Sequence, residues 1–224
     1  MNLTRHLPNT LTCANLACGC LGIVSLFTSQ LEAAYFVWAA CLFDFFDGFT
    51  ARLLRVSSPI GKELDSLADV VSFGVLPSLA LYRWLGNEGW QYLAIGVAIF
   101  SALRLAKFNL DEKQSDSFIG LPTPANALFI TALPFLPTPL NAWVFTTPVL
   151  ISITLIFSLL LVAPLNLFSL KFKSYSWSGN EIRFLFIGLS IILLVFFRAG
   201  ALPFIILSYI GISLLGNLAG EKKN

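Results

Sequence analysis

Five carboxylates sit where an apolar chain least tolerates them. Of twelve acidic residues in 224, Asp44, Asp47, Glu63, Asp65 and Asp69 fall within one 26-residue stretch, at the ends of two apolar runs. An Asp at the centre of a membrane helix costs about 2.5 to 3.5 kcal/mol on insertion scales, so these groups persist only with a cation or a function. Asp44 and Asp47 are three apart and Asp65 and Asp69 four apart, so each pair shares a helical face. The short connection from Thr50 to Ile60 brings the second helix back antiparallel beside the first, and the two pairs then converge near one membrane surface. Like charges crowded in low dielectric call for divalent cations, and an all-oxygen set without clustered His or Cys selects Mg²⁺, Mn²⁺ or Ca²⁺ over zinc. Gly48 and Gly61 remove side chains beside Asp47 and one turn before Asp65, which lets a bulky ligand approach the backbone. Arg52 offers a phosphate-binding guanidinium, and Ser57 and Ser58 offer hydroxyls. The competing reading pairs Arg52 and Arg55 with Asp44 and Asp47 as ordinary interfacial ion pairs. It accounts for a single pair but not for the whole constellation.

The elements that must carry these groups are membrane helices. Apolar residues make up 57% of the chain and charged ones 12%, a composition unsuited to water. A bilayer core of about 30 Å takes about 20 apolar residues per helix. Eight runs are expected, approximately Leu11 to Phe27, Tyr35 to Leu54, Leu64 to Trp84, Trp90 to Leu105, Pro124 to Leu136, Val144 to Leu161, Ile182 to Phe197 and Leu202 to Leu218. The fifth is short and Pro-rich. The fold class expected is therefore all-α, a polytopic bundle of about eight transmembrane helices forming a single integral domain over 1–224. An even count puts Arg5, Arg52, Arg55, Lys62, Arg104, Lys107, Lys113, Lys171, Lys173, Arg183, Lys222 and Lys223 on the side of the termini, and Arg83 and Arg198 opposite. That asymmetry makes the termini and the acidic site cytoplasmic. A net charge of +2 gives no reason to expect nucleic acid as a partner. The four cysteines form no CxxC pair and read as small packing residues. Trp84, Trp90, Trp143 and Trp177 read as an interfacial belt, and His6 as a headgroup contact.

The run Asp44-x2-Asp47-Gly48-x2-Ala51-Arg52-x8-Gly61-x3-Asp65-x3-Asp69 resembles the complete motif of the CDP-alcohol phosphatidyltransferases. The resemblance implies an integral membrane enzyme that displaces CMP from a CDP-linked lipid with an alcohol, with two divalent ions, and a homodimer. It implies that Asp44, Asp47 and Asp65 bind metal, and that Asp69 binds metal and takes the proton of the attacking hydroxyl. It places Gly48, Ala51, Arg52, Ser58 and Gly61 against the CDP moiety. Pro8-Asn9-x2-Thr12 resembles the family's nucleotide-binding start of the first helix; on their own Asn9 and Thr12 also read as a helix cap.

Three further strings resemble the phosphatidylserine synthase branch: Gly61 to Asp69 followed by Ser72-Phe73-Gly74 and Pro77, then Arg104 to Asn109, then Gly120 to Ala125. That branch implies CDP-diacylglycerol and L-serine as substrates, in a bacterial-type inner membrane. The resemblance covers about residues 8–130, with additional helices at about 140–218. Serine carries a carboxylate and an ammonium, and Arg104 is the candidate carboxylate partner, with Lys107 and Asn109 close by. The alternative is that Arg104 and Lys107 snorkel to headgroups. Asn126 reads equally as a serine contact or a helix cap. Glycerol 3-phosphate, inositol phosphate or an amino alcohol as acceptor, a divalent-cation transporter, and a non-catalytic lipid-binding scaffold remain competing readings; the second half supplies no facing acidic groups to complete a transport path.

Overall fold

The computed structural model describes residues 6–56, 58–110, 117–168, 177 and 180–221. Arg5, Ser57, Lys113, Lys171, Lys173, Lys222 and Lys223 lie outside the described residues. Four helices build the site region. α1 (Leu7–Ser25) runs antiparallel to α2 (Gln30–Leu54) across a tight turn whose Ser29 hydroxyl accepts from Glu32 N–H, one half of a capping box. α2 stops at Arg55, which takes the left-handed conformation (φ +52°) that closes many helix ends. α3 (Pro59–Asp69) starts from a Ser58 cap on Gly61 N–H with Pro59 at its first position. It continues through a π-helical turn, Val70–Val75, into α4 (Leu76–Trp84).

A 3₁₀ turn at Trp90–Ala94 leads into α5 (Ile95–Leu110). Then follow α6 (Thr123–Ala132) with a 3₁₀ turn at Leu133–Phe135, α7 (Leu140–Val144), α8 (Thr147–Val162), α9 (Glu181–Phe197) and α10 (Ala201–Glu221). Two three-residue strands, β1 (Ser117–Ile119) and β2 (Asn166–Phe168), pair antiparallel with Phe118 opposite Leu167. Among the described residues this small ladder is the one departure from the expected all-α class.

Helices occupy all eight expected positions, but among the described residues length and apolarity together qualify four stretches to cross a membrane: Leu7–Ser25, Pro59–Trp84, Trp90–Leu110 and Glu181–Gly216. The shortfall has physical causes. α2 carries Glu32, Asp44, Asp47 and Arg52, which dilute its apolarity. α6 has 10 residues, about 15 Å of helix. α8 has 16 residues. The last stretch contains both α9 and α10, broken at Arg198 (φ +51°).

Close helix approach depends on small residues, as it does wherever lipid removes the hydrophobic drive. A Cβ on Gly19 would lie 2.9 Å from Ser72 Cα, and one on Gly74 would lie 3.1 Å from Ser101 Cβ. Two apolar clusters support the site. Val37, Phe73, Leu76 and Ala127 join α2, the π turn, α4 and α6, while Leu81, Val97, Ile130 and Leu150 join α4, α5, α6 and α8. All four cysteines are free thiols; Cys13 and Cys20 are exposed rather than packed. Trp90, Trp143 and Trp177 are exposed, whereas the Trp84 indole N–H is buried and its ring meets Phe145 edge-on.

Candidate active site

The expected side-by-side packing of α2 on α3 is not how the acidic pairs meet. α1 packs against both helices, while α2 and α3 scarcely approach each other. The site is the gap between them, floored by α1. Carboxylate oxygens of Asp44, Asp47 and Asp65 reach across this gap and lie within 4.8 Å of one another. Asp47 and Asp69 are buried, Asp44 and Asp65 half-buried, and Glu63 is exposed outside the cluster. Asp44 has the carboxyl groups of both Asp65 and Asp69 within hydrogen-bond reach. Asp65 Oδ1 is buried without a hydrogen-bond partner.

The ion-pair reading is not realised. The groups facing Asp44 are other carboxylates, and those holding Asp47 are the Thr12 hydroxyl and the Gly48 backbone. Arg52 and Arg55 are exposed. Three converging carboxylates, one with an unsatisfied oxygen, fit a hard divalent cation, which takes oxygen ligands and offsets their repulsion.

A cavity of about 280 Å³ opens beside the cluster. Six of the seven residues expected at the CDP moiety line it: Asn9, Thr12, Gly48, Ala51, Ser58 and Gly61. Arg52, which is exposed, does not. Asn9 and Thr12 are not caps, because α1 starts at Leu7 and both lie inside it. The Thr12 hydroxyl instead donates to Asp47 Oδ2 at 2.6 Å.

The two motif glycines differ in kind. A Cβ on Gly48 would meet nothing within 4 Å, which leaves the cavity wall open to a ligand. A Cβ on Gly61 would lie 2.8 Å from Asn9 Oδ1 and 2.9 Å from Ser58 Oγ, so what approaches that backbone is the protein itself.

The candidate serine contacts separate into two places. Arg104 is buried rather than snorkelling; its Nη1 lies 3.5 Å from Thr123 Oγ1, its Nε has no partner, and it faces Asp69 and Tyr209. Lys107 is exposed and shares with Arg104 a second cavity of about 210 Å³. Asn126 is fully buried on α6 with both amide atoms unpartnered, so it is not a cap. Asn109 lies apart from these: its amide donates to Ser66 Oγ at 2.8 Å, and its carbonyl accepts from Lys62 Nζ at 3.0 Å. It ties the end of α5 to α3.

Gly120 (φ +77°) explains part of the string it belongs to. A Cβ there would sit 2.5 Å from the Leu161 carbonyl, and Leu121 N–H donates to Leu160 O at 2.8 Å. This anchorage sets the start of α6, whose Thr123 meets Arg104.

Three site residues escaped the sequence reading of the site. Asn15 donates to Asp69 Oδ1 at 3.0 Å, Lys62 lines the first cavity, and Thr123 meets Arg104. The usable signal for Asn15 was its spacing, one turn beyond Thr12 on the same face.

Residues 5–162, from before α1 to the end of α8, match the CDP-alcohol phosphatidyltransferase family. The chain belongs to this family. With its apolar helices, membership makes it an integral membrane protein. Several relatives carry the name CDP-diacylglycerol–serine O-phosphatidyltransferase. That of Bacillus subtilis is 36% identical over 141 residues, 61% of this chain and 79% of the relative. That of Helicobacter pylori is 42% identical over 129 residues, 55% and 54% of the two chains. That of Methanocaldococcus jannaschii is 39% identical over 108 residues, 48% and 53%. The match thus spans about half the length of the latter two. The family match leaves out β2, α9 and α10, and with them Tyr209, which faces Arg104.

Proposed function

We propose that this protein transfers the phosphatidyl group of CDP-diacylglycerol to the hydroxyl of L-serine, giving phosphatidylserine and CMP. The observation that carries the reading is the convergence of Asp44, Asp47 and Asp65 at the wall of a cavity lined by the motif residues of α1, α2 and α3. The names of the relatives supply the acceptor.

The first cavity takes the cytidine diphosphate, with Asn9, Thr12, Gly48, Ala51, Ser58 and Gly61 at its walls, and the acyl chains remain among the helices. Arg52, one turn beyond Gly48 on the same face, meets the phosphates from outside the lined wall. Asp69 accepts the proton of the serine hydroxyl as that oxygen bonds to the lipid phosphorus and the bond to the CMP oxygen breaks. Two divalent ions, Mg²⁺ or Mn²⁺ with Ca²⁺ also suited to the donors, held by Asp44, Asp47, Asp65 and Asp69, would supply charge neutralisation for the pyrophosphate and the leaving group. Arg104 and Lys107 bind the serine carboxylate, Asn126 its polar groups, and Asn109, at the end of α5, supports them through its ties to Ser66 and Lys62 of α3.

The chain acts as one domain with its catalytic part at about residues 8–130. It sits in the cell inner membrane through eight spans, with termini and site cytoplasmic, as a homodimer. The Lys and Arg asymmetry and the helices found at all eight expected positions support this topology.

Acceptor substitution tests the assignment. CMP release from CDP-diacylglycerol is expected with L-serine and not with glycerol 3-phosphate or inositol phosphate. Release with one of those and not with serine keeps the family chemistry and overturns the acceptor.

A further inference from the structure

Of the four clustered carboxylates, Asp69 stands outside the trio whose oxygens converge, and it alone is gripped by an amide. The amide belongs to Asn15, which is wholly buried on α1 and donates Nδ2–H to Asp69 Oδ1 at 3.0 Å. As a base Asp69 is ionised, and an ionised carboxylate only accepts and must face the NH₂ end. Asn15 Oδ1 is consequently left buried without a partner. Proteins rarely retain such a group in a core that an apolar residue would fill without penalty.

The same residue is anchored through its backbone. Ser72, in the π-helical turn that follows Asp69, donates its hydroxyl to Asn15 O at 3.0 Å. One turn further along α1, Gly19 lets that turn come close enough for the bond to form, since a Cβ there would meet both Ser72 Oγ and Ser72 Cα. Two hydrogen bonds of opposite sense therefore fasten α1 to the segment carrying Asp69, and Asn15 is the residue common to both. An unrestrained carboxylate among like charges swings away from them; a donor fixed on a separate helix opposes that swing. Reactive groups need this kind of support, because small misplacements are expensive in rate.

We propose that Asn15 is a positioning residue for Asp69, holding one carboxylate oxygen so that the other is turned toward the acceptor hydroxyl. This rests on the reading of Asp69 as the group that takes the acceptor's proton.

The test uses the purified protein as Asn15→Leu, which keeps the branched side-chain skeleton and removes the donor, and as Asn15→Ser, too short to reach but small enough to pack. Asp69→Asn is assayed in parallel. Kinetics with CDP-diacylglycerol and L-serine, Mn²⁺ affinity by electron paramagnetic resonance, and thermal unfolding in detergent are measured for each. Both Asn15 variants are expected to lower kcat by about tenfold or more, with both KM values and the Mn²⁺ affinity within about twofold and the unfolding temperature unchanged. A kcat within twofold of wild type overturns the proposal, and so does a kcat loss that travels with Mn²⁺ affinity, KM or thermal stability. Should Asp69→Asn itself turn over normally, the reading of Asp69 fails and the proposal with it. Should Asp69→Asn be inactive while the Asn15 variants keep kcat, the positioning role alone fails.

Discussion

α1 and α9 are apolar helices of nearly equal length, 19 and 17 residues, and they bury opposite kinds of residue. α1 turns Pro8, Thr12, Asn15, Gly19 and Gly22 inward and leaves Leu21 and Val24 outside. α9 buries Phe186 alone and presents Leu185, Ile192, Val195 and Phe196 outward. In a bilayer the outward faces are equivalent, since lipid accepts either, so the difference lies in what each helix packs against. α9 needs only apolar neighbours. α1 is wedged between two helices that bear carboxylates, and it supplies their hydroxyl and amide donors. A helix that turns Thr12 and Asn15 onto its buried stripe, against the carboxylates of its neighbours, is positioning chemistry rather than anchoring the chain.

This contrast can be broken at several points. Asp44→Asn, Asp47→Asn or Asp65→Asn removes part of the converging oxygen set, and each is expected to lower turnover by about a thousandfold, with Mn²⁺ binding lost in parallel. Gly48→Ala fills open space at the cavity wall and should raise the KM for CDP-diacylglycerol about tenfold at unchanged thermal stability. Thr12→Val keeps the shape of α1 but removes the donor to Asp47, and a loss of about 1 to 1.5 kcal/mol, close to tenfold in kcat/KM, is expected. Gly120→Ala must adopt a positive φ against the Leu161 carbonyl; thermal unfolding should report a loss of about 2 kcal/mol. On α9, Val195→Ala should leave both activity and unfolding temperature within error, and a clear loss of either would give α9 more than an anchoring role.

Much of the acidic site was legible because carboxylates in apolar helices are costly, and cost marks function. The spacings three and four gave the shared faces of Asp44 with Asp47 and of Asp65 with Asp69. The helical positions followed from apolar run lengths. What could not be read was how the pairs meet, since nothing local in α2 or α3 states that α1 lies between them. Asn15 was hidden for the same reason: one Asn among small residues looks like an interruption until Asp69, 54 positions away, is seen to need a donor. The π-helical turn after Asp69 leaves no pattern in Val70–Val75 that distinguishes it from α-helix. Arg52 was expected against the CDP moiety from its place in the motif; it stands one turn beyond Gly48 on the same face, but its side chain is exposed and outside the lining of the cavity.

The central claim is that this acidic gap performs phosphatidyl transfer to serine through Asp69. Its most direct test is to supply wild type and Asp69→Asn with CDP-diacylglycerol, Mn²⁺ or Mg²⁺ and labelled L-serine, and to follow CMP release together with label in the lipid phase. Serine-dependent CMP release with matching lipid label in wild type, absent in Asp69→Asn, is the predicted result. Equal labelling by both proteins, or no CMP release from folded wild type with any acceptor, would contradict it.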